Sequence, residues 1–114
     1  MNKLKILFVC GMNKKRSLTA QKIYGSDPRV EVRSAGVSPS SKTKLIEAHV
    51  EWADLILVME KKYKERIREA FKGRKQFPRI ESLEIPDEYE YMDEELIHII
   101  KSSTEPYLSK NTSV

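Results

Sequence analysis

The 114-residue chain has a single cysteine, and that scarcity excludes a good deal. One thiol cannot close a disulfide within the chain, and no mechanism that passes electrons between two cysteines of one molecule is open to it. The two histidines, His49 and His98, stand alone on predicted helices at no spacing that suggests metal ligation. No apolar run approaches the roughly 20 residues that a membrane-spanning helix needs, and the N-terminus lacks a signal-peptide profile. There is no readable Ser-His-Asp order, no phosphate loop of the nucleotide-hydrolysing type, no internal repeat and no low-complexity linker. These absences lead us to expect a cytoplasmic protein with no metal, no organic cofactor and no membrane partner.

What is present is ordinary for a soluble domain: 39% of residues are apolar and 33% charged. The length suffices for one core and is too short for two. Residues 1–108 are expected to form a single domain and the polar stretch 109–114 a flexible C-terminal tail.

Strand-like and helix-like segments alternate, which predicts a parallel sheet with helices on its faces. The apolar run Leu4 to Val9 reads as a buried strand, and Ser17 to Tyr24 as the helix after it. Val30 to Ser34 alternates as a half-buried strand would. A helix is expected over about 42–52, with Leu45, His49 and Trp52 on one side. Leu55 to Met59 reads as a buried strand, followed by a helix over about 61–72 with a Tyr63, Ile67, Ala70, Phe71 stripe. A fourth strand is expected within 79–84. The last helix is expected over about 93–103, with Leu96, Ile97, Ile99 and Ile100 facing inward.

The richest segment is Val9-Cys10-Gly11-Met12-Asn13-Lys14-Lys15-Arg16-Ser17. Five residues between a thiol and a guanidinium can curl so that backbone N–H groups converge on one anion, while Arg16 offers a planar fork to two of its oxygens. Cys10 falls where a strand end meets a helix N-terminus, and there the helix dipole and Arg16 both favour thiolate, the nucleophilic form. A free cysteine on its own is more often a small buried hydrophobe. An arginine and a serine both falling at the required offsets by chance is an event on the order of one in a few hundred. The strand-loop-helix setting adds to that.

Lys5 to Cys10 through Arg16-Ser17 resembles the active-site segment of the low-molecular-weight protein tyrosine phosphatases, and in particular a short, predicted-phosphatase branch. Arg33-Ser34-Ala35-Gly36, Ala53 to Glu60, and Ile85-Pro86-Asp87-Glu88-Tyr89 agree in order. The resemblance spans residues 3 to about 100. It implies a three-layer α/β/α fold, phosphatase-I-like, with a four-stranded parallel sheet. It also implies hydrolysis of a phosphomonoester, most of all phosphotyrosine, through a Cys10 phosphocysteine intermediate. Residues 11–17 would form the phosphate loop: Gly11, Met12, Asn13, Lys14, Lys15, Arg16 and Ser17. In it Arg16 clamps phosphate, Asn13 braces the loop and Ser17 donates to the Cys10 sulfur. Asp87, followed two residues later by Tyr89, would be the general acid and base. Asp93 is the competing acid, and Asp87 by itself would read as a turn residue. Ser17 alone would read as a helix cap. Tyr89 and Tyr91 are candidates for the pocket mouth, and Ser34-Ala35-Gly36 for structural support beside the loop.

The chain also departs from the family pattern. Met12 stands where a glycine is usual, with Gly11 just before it, so the loop's turn is expected to shift by one residue. Lys15 stands where many relatives carry a second cysteine. Leu18 and Glu88 replace prolines, and the stretch between Gly36 and Trp52 is short.

Net charge is +4, unevenly spread: residues 60–79 hold nine Lys or Arg, and residues 81–95 hold eight acids and no base. Such runs are most often solvated faces. Lys14 and Lys15 differ in lying inside the loop, where they raise the potential for an arriving dianion. No aromatic-interleaved basic motif occurs, so nucleic acid is not an expected partner, and oligomeric state is unassigned. A phosphorylated protein or a small phosphomonoester is the expected substrate. Two other readings stand beside hydrolysis: a phosphate-recognising module without turnover, and arsenate reduction with an external thiol.

Overall fold

Ile6, Leu7, Phe8 and Val9 are successive residues, yet none is more than 1% exposed. A strand turns alternate side chains to opposite faces, so four buried in a row require cover on both sides. The computed structural model, which describes residues 3–112, supplies that cover. Its elements in chain order are β1 (Leu4–Cys10), α1 (Arg16–Tyr24), β2 (Val30–Gly36), α2 (Glu47–Trp52), β3 (Leu55–Val58), α3 (Lys61–Ala70), β4 (Arg79–Ser82) and α4 (Glu94–Thr112). The four strands form one parallel sheet in the order β2-β1-β3-β4. No helix among the described residues is long and apolar enough to cross a membrane.

Right-handed crossovers fix the layers. The step from β1 to β2 runs one way along the sheet, whereas the steps from β2 to β3 and from β3 to β4 run the other way. Hence α1 lies on one face, and α2 and α3 on the opposite one. α4 packs against α1, and Tyr24 at the end of α1 donates a hydrogen bond to Glu105 at 3.0 Å. This is the three-layer α/β/α arrangement expected from the alternation of elements. The direction of connection reverses between β1 and β3, which are paired in register (Val9 with Val58). The crevice beyond their carboxyl ends is where such sheets bind ligands.

Three elements depart from the sequence expectation. The helix expected from about residue 42 begins only at Glu47. Its first residues are taken up by the sheet edge instead: Gly36 donates to the Thr43 carbonyl at 2.8 Å and accepts from Leu45 at 2.9 Å. α3 stops at Ala70, which is exposed, so its buried stripe reduces to Tyr63 and Ile67. The last helix runs well past Ser103, through Pro106 and on to Thr112, across the first part of the stretch expected to be a tail. Leu96, Ile100, Thr104 and Leu108 lie four residues apart, and each is at most 1% exposed. That continuous buried ridge outweighs the backbone hydrogen bond lost at Pro106. Residues 113–114 lie outside the described residues.

Candidate active site

Cys10 ends β1 and is 3% exposed. The chain then leaves the sheet and returns as α1 at Arg16, and a second loop props the turn between them. Val37 donates to the Cys10 carbonyl at 3.0 Å, Ser38 to the Gly11 carbonyl at 2.9 Å, and Lys42 to the Met12 carbonyl at 3.1 Å. The Ser41 hydroxyl adds a 3.0 Å bond to the Gly11 carbonyl. In a trans peptide the N–H points opposite to the C=O. Pinning three consecutive carbonyls outward therefore aims the N–H groups of Gly11, Met12 and Asn13 inward. The Asn13 N–H lies 3.2 Å from Cys10 Sγ, on that inner side. The result is a cradle of backbone donors.

Asn13 makes the turn possible. It alone in the loop has a positive φ, 54°, in the left-handed region that asparagine tolerates better than most residues. The left-handed residue of the loop is therefore Asn13 rather than Gly11, where the turn was expected to shift, and Met12 between them has no positive φ. Ser17 joins the two ends of the loop: its Oγ is 2.9 Å from Cys10 Sγ and 2.8 Å from Asn13 Oδ1. Asn13 and Ser17 are buried, and Asn13 Nδ2 has no partner. Turning the amide over would let Nδ2 donate to Ser17, which frees the Ser17 hydroxyl to donate to a negatively charged sulfur.

Arg16 is 3% exposed. Its Nη1 donates to Glu60 Oε2 at 2.7 Å and to the Ile85 carbonyl at 2.8 Å, and its Nη2 reaches the Tyr63 hydroxyl at 3.4 Å. Tyr63 in turn donates to Glu60 Oε2 at 3.2 Å. Burial works against the Arg16 charge, but the bonds to Glu60 and Tyr63 and the nearby Asp87 outweigh it and hold the guanidinium above its usual range. The Arg16 bond likewise holds the Glu60 carboxyl below the usual carboxylate range. Asp87 Oδ1 lies 3.9 Å from Arg16 Nε, with the Asp87 side chain 65% exposed. One cavity of about 310 Å³ is lined by Cys10, Gly11, Met12, Lys14, Lys15, Arg16, Tyr63 and Asp87.

The tyrosine phosphatase Wzb from Escherichia coli K30, solved with phosphate, aligns over 96% of this chain and 99% of its own, with TM-score 0.72 and 22% identity. SP-PTP, a low-molecular-weight protein tyrosine phosphatase from Streptococcus pyogenes, aligns over 96% and 94%, with TM-score 0.78 and 17% identity. YwlE, an arginine phosphatase from Geobacillus stearothermophilus, aligns over 95% of both chains, with TM-score 0.69 and 24% identity. No protein-family model matches the chain, and no curated protein does. The chain has the low-molecular-weight protein tyrosine phosphatase fold.

Within that fold the predicted site residues separate into two groups. Cys10 with the loop that runs from it to Arg16, and Asp87, come together from two segments distant in sequence. Lys14 and Lys15 both border the cavity; Lys15 pairs with Glu90 at 3.1 Å, and Lys14 is exposed. Tyr89 and Tyr91 are not among the lining residues. Tyr89 packs half-buried against the core, and burial together with Glu95, Glu88 and Asp93 pushes its hydroxyl up. Tyr91, 49% exposed, borders a separate cleft with Leu18 and Trp52. Asp93 serves α4, its Oδ1 accepting the Glu95 N–H. Gly36 supports the loop from below: a Cβ there would lie 2.2 Å from Ser41 Oγ and 2.8 Å from the Gly11 carbonyl.

Sequence reasoning missed Glu60 and Tyr63 as site residues. A signal for them exists, since β1 and β3 are neighbours and the residues that follow each must meet. His49 Nδ1 accepts the Ile46 N–H at 3.0 Å and so serves α2. No group of three or more His, Cys, Asp or Glu placed to hold a metal occurs among the described residues.

Proposed function

We propose that this chain is a cysteine-dependent phosphomonoester hydrolase acting on phosphotyrosine, with residues 1–108 working as a single domain. The observation that carries this reading is the shared cavity of Cys10, Arg16 and Asp87 at the carboxyl end of β1. Phosphate oxygens are received by the inward N–H groups of the loop and by Arg16. The Cys10 sulfur attacks phosphorus, and the bond to the leaving oxygen breaks as Asp87 delivers its proton there. This forms a phosphocysteine and frees the alcohol or phenol. Asp87, now a carboxylate, takes a proton from water as that water attacks phosphorus. Inorganic phosphate departs, and the sulfur is restored.

The reaction needs a reduced thiol, which suits the cytoplasm. The substrate is a phosphorylated protein or a small phosphomonoester rather than nucleic acid. Arsenate reduction would require an external thiol, since the chain has only Cys10.

Purified protein under reducing conditions should hydrolyse p-nitrophenyl phosphate, and Cys10→Ser should abolish turnover while still binding phosphate. A wild type inactive from mildly acidic to neutral pH yet able to bind phosphate would replace this reading with that of a binding module. Phosphotyrosine peptides, phosphoserine peptides, sugar phosphates and nucleotides, with Cys10→Ser as the blank, then identify the substrate.

A further inference from the structure

The five N–H groups of Arg16 are unequally committed. Both hydrogens of Nη1 are used, one by Glu60 at 2.7 Å and one by the Ile85 carbonyl at 2.8 Å. Nη2 spends one hydrogen on the Tyr63 hydroxyl at the longer distance of 3.4 Å. Nε makes no hydrogen bond, its nearest acid being Asp87 at 3.9 Å. What remains is the Nε–H and one Nη2–H, the two parallel donors on the side-on edge of the guanidinium. That is the edge suited to two oxygens of one phosphate, and Asp87, which faces it, lines the same cavity.

We propose that Glu60 and Tyr63 are positioning residues that hold the Nη1 side of Arg16 and so present its Nε/Nη2 edge to the phosphate cradle. An arginine side chain is long and has several rotatable bonds, so an unheld guanidinium would have to be ordered each time an anion bound. Glu60 lies two residues past the end of β3, at the start of α3, and is 29% exposed at its side chain, so its anchor comes from the end of the strand next to the one that carries Cys10. Tyr63 is 5% exposed. Its hydroxyl would lie 3.0 Å from a Cβ at position 11, tighter than ordinary contact. The phenol is thus wedged between the first turn of the loop and Arg16, accepting from one and donating to Glu60. The Ile85 carbonyl completes the clamp from the segment that leads to Asp87.

The turnover part of this inference rests on the phosphatase reading, but the affinity part does not. The test therefore measures inorganic phosphate binding by titration calorimetry beside p-nitrophenyl phosphate kinetics. The variants are Glu60→Ala, Glu60→Gln and Tyr63→Phe, each checked for an unchanged thermal midpoint and near-ultraviolet circular dichroism. Glu60→Ala should weaken phosphate binding about tenfold and raise KM in step, as expected for a lost hydrogen bond to a charged group. Glu60→Gln keeps an oxygen for Nη1 and should restore most of that loss. Tyr63→Phe should cost about threefold, because its bond is longer.

Phosphate affinity and KM within twofold of wild type in a folded Glu60→Ala would overturn the proposal while leaving the phosphatase reading intact. Tighter phosphate binding in both Glu60→Ala and Glu60→Gln would also overturn it, since the carboxylate would then act only as an opposing charge. A wild type that binds phosphate without turning it over would refute the phosphatase reading, and the affinity series would still decide the role of Glu60. A wild type that binds no phosphate would overturn both.

Discussion

Asp93 Oδ1 accepts the backbone N–H of Glu95 at 2.8 Å, while the Asp93 carbonyl accepts the Ile97 N–H at 2.9 Å. These are the two bonds of a helix cap, and they separate the two candidate acids by task. Asp93→Ala should therefore cost about 1 kcal/mol of stability, read by chemical denaturation, whereas Asp93→Asn keeps the cap and should be nearly neutral. Neither should change turnover much. Asp87→Asn should do the reverse, leaving stability intact and slowing hydrolysis most for substrates with poor leaving groups. A larger rate loss in Asp93→Asn than in Asp87→Asn would reverse the assignment.

Gly36→Ala should harm both stability and activity. The added Cβ meets Ser41 Oγ at 2.2 Å and the Gly11 carbonyl at 2.8 Å, and the second contact is with backbone. A cost of about 1–3 kcal/mol is expected from this overpacking. The shifted carbonyl belongs to the cradle, so kcat/KM for p-nitrophenyl phosphate should fall even at temperatures where the variant stays folded.

Arg29 ties the turn after α1 to α4. It pairs with Asp27 at 2.7 Å and with Glu105 at 2.9 Å, and its hydrogen bonds hold both carboxyls below their usual range. Such groups contribute stability in full above their ordinary values near pH 4 and lose it as pH falls through the lowered ones. Arg29→Ala should thus cost roughly 0.5–1 kcal/mol at pH 7, the arginine side chain being partly exposed. The gap from wild type should close as pH drops below about 4, as followed by urea denaturation across pH.

Thr104 is fully buried on α4, and its hydroxyl has no hydrogen-bond partner. Valine matches its shape without the hydroxyl. Thr104→Val should therefore raise stability by about 1 kcal/mol, with thermal unfolding as the measure.

The legible parts of the molecule were those governed by local pattern. The buried run of β1 and the offset from Cys10 to Arg16 could be read directly, because one depends on side-chain period and the other on loop length. α2 was overextended because the backbone of residues 43–45 bonds to Gly36, a partner no local pattern names. The helix expected to end at about 103 runs on because Leu108 is buried beyond Pro106, a tertiary contact that no local pattern names. Tyr63 was read as a core stripe residue, which its burial supports, yet its hydroxyl touches Arg16. Periodicity reports which side of a helix is covered and says nothing of where a polar tip ends. Tyr89 and Tyr91 were offered for the pocket mouth on their nearness in sequence to Asp87, but the chain turns between them, at Tyr89 toward the core and at Tyr91 toward another cleft.

The cradle is held by backbone N–H donors and one serine hydroxyl acting on the carbonyls of Cys10, Gly11 and Met12. None of those bonds involves a side chain at positions 12, 14 or 15. The geometry of the loop and the side chains it displays around the cavity are therefore separable inheritances. Met12, Lys14 and Lys15 can be exchanged for other residues without touching those bonds, so a lineage could change which molecules meet the loop without rebuilding the loop itself.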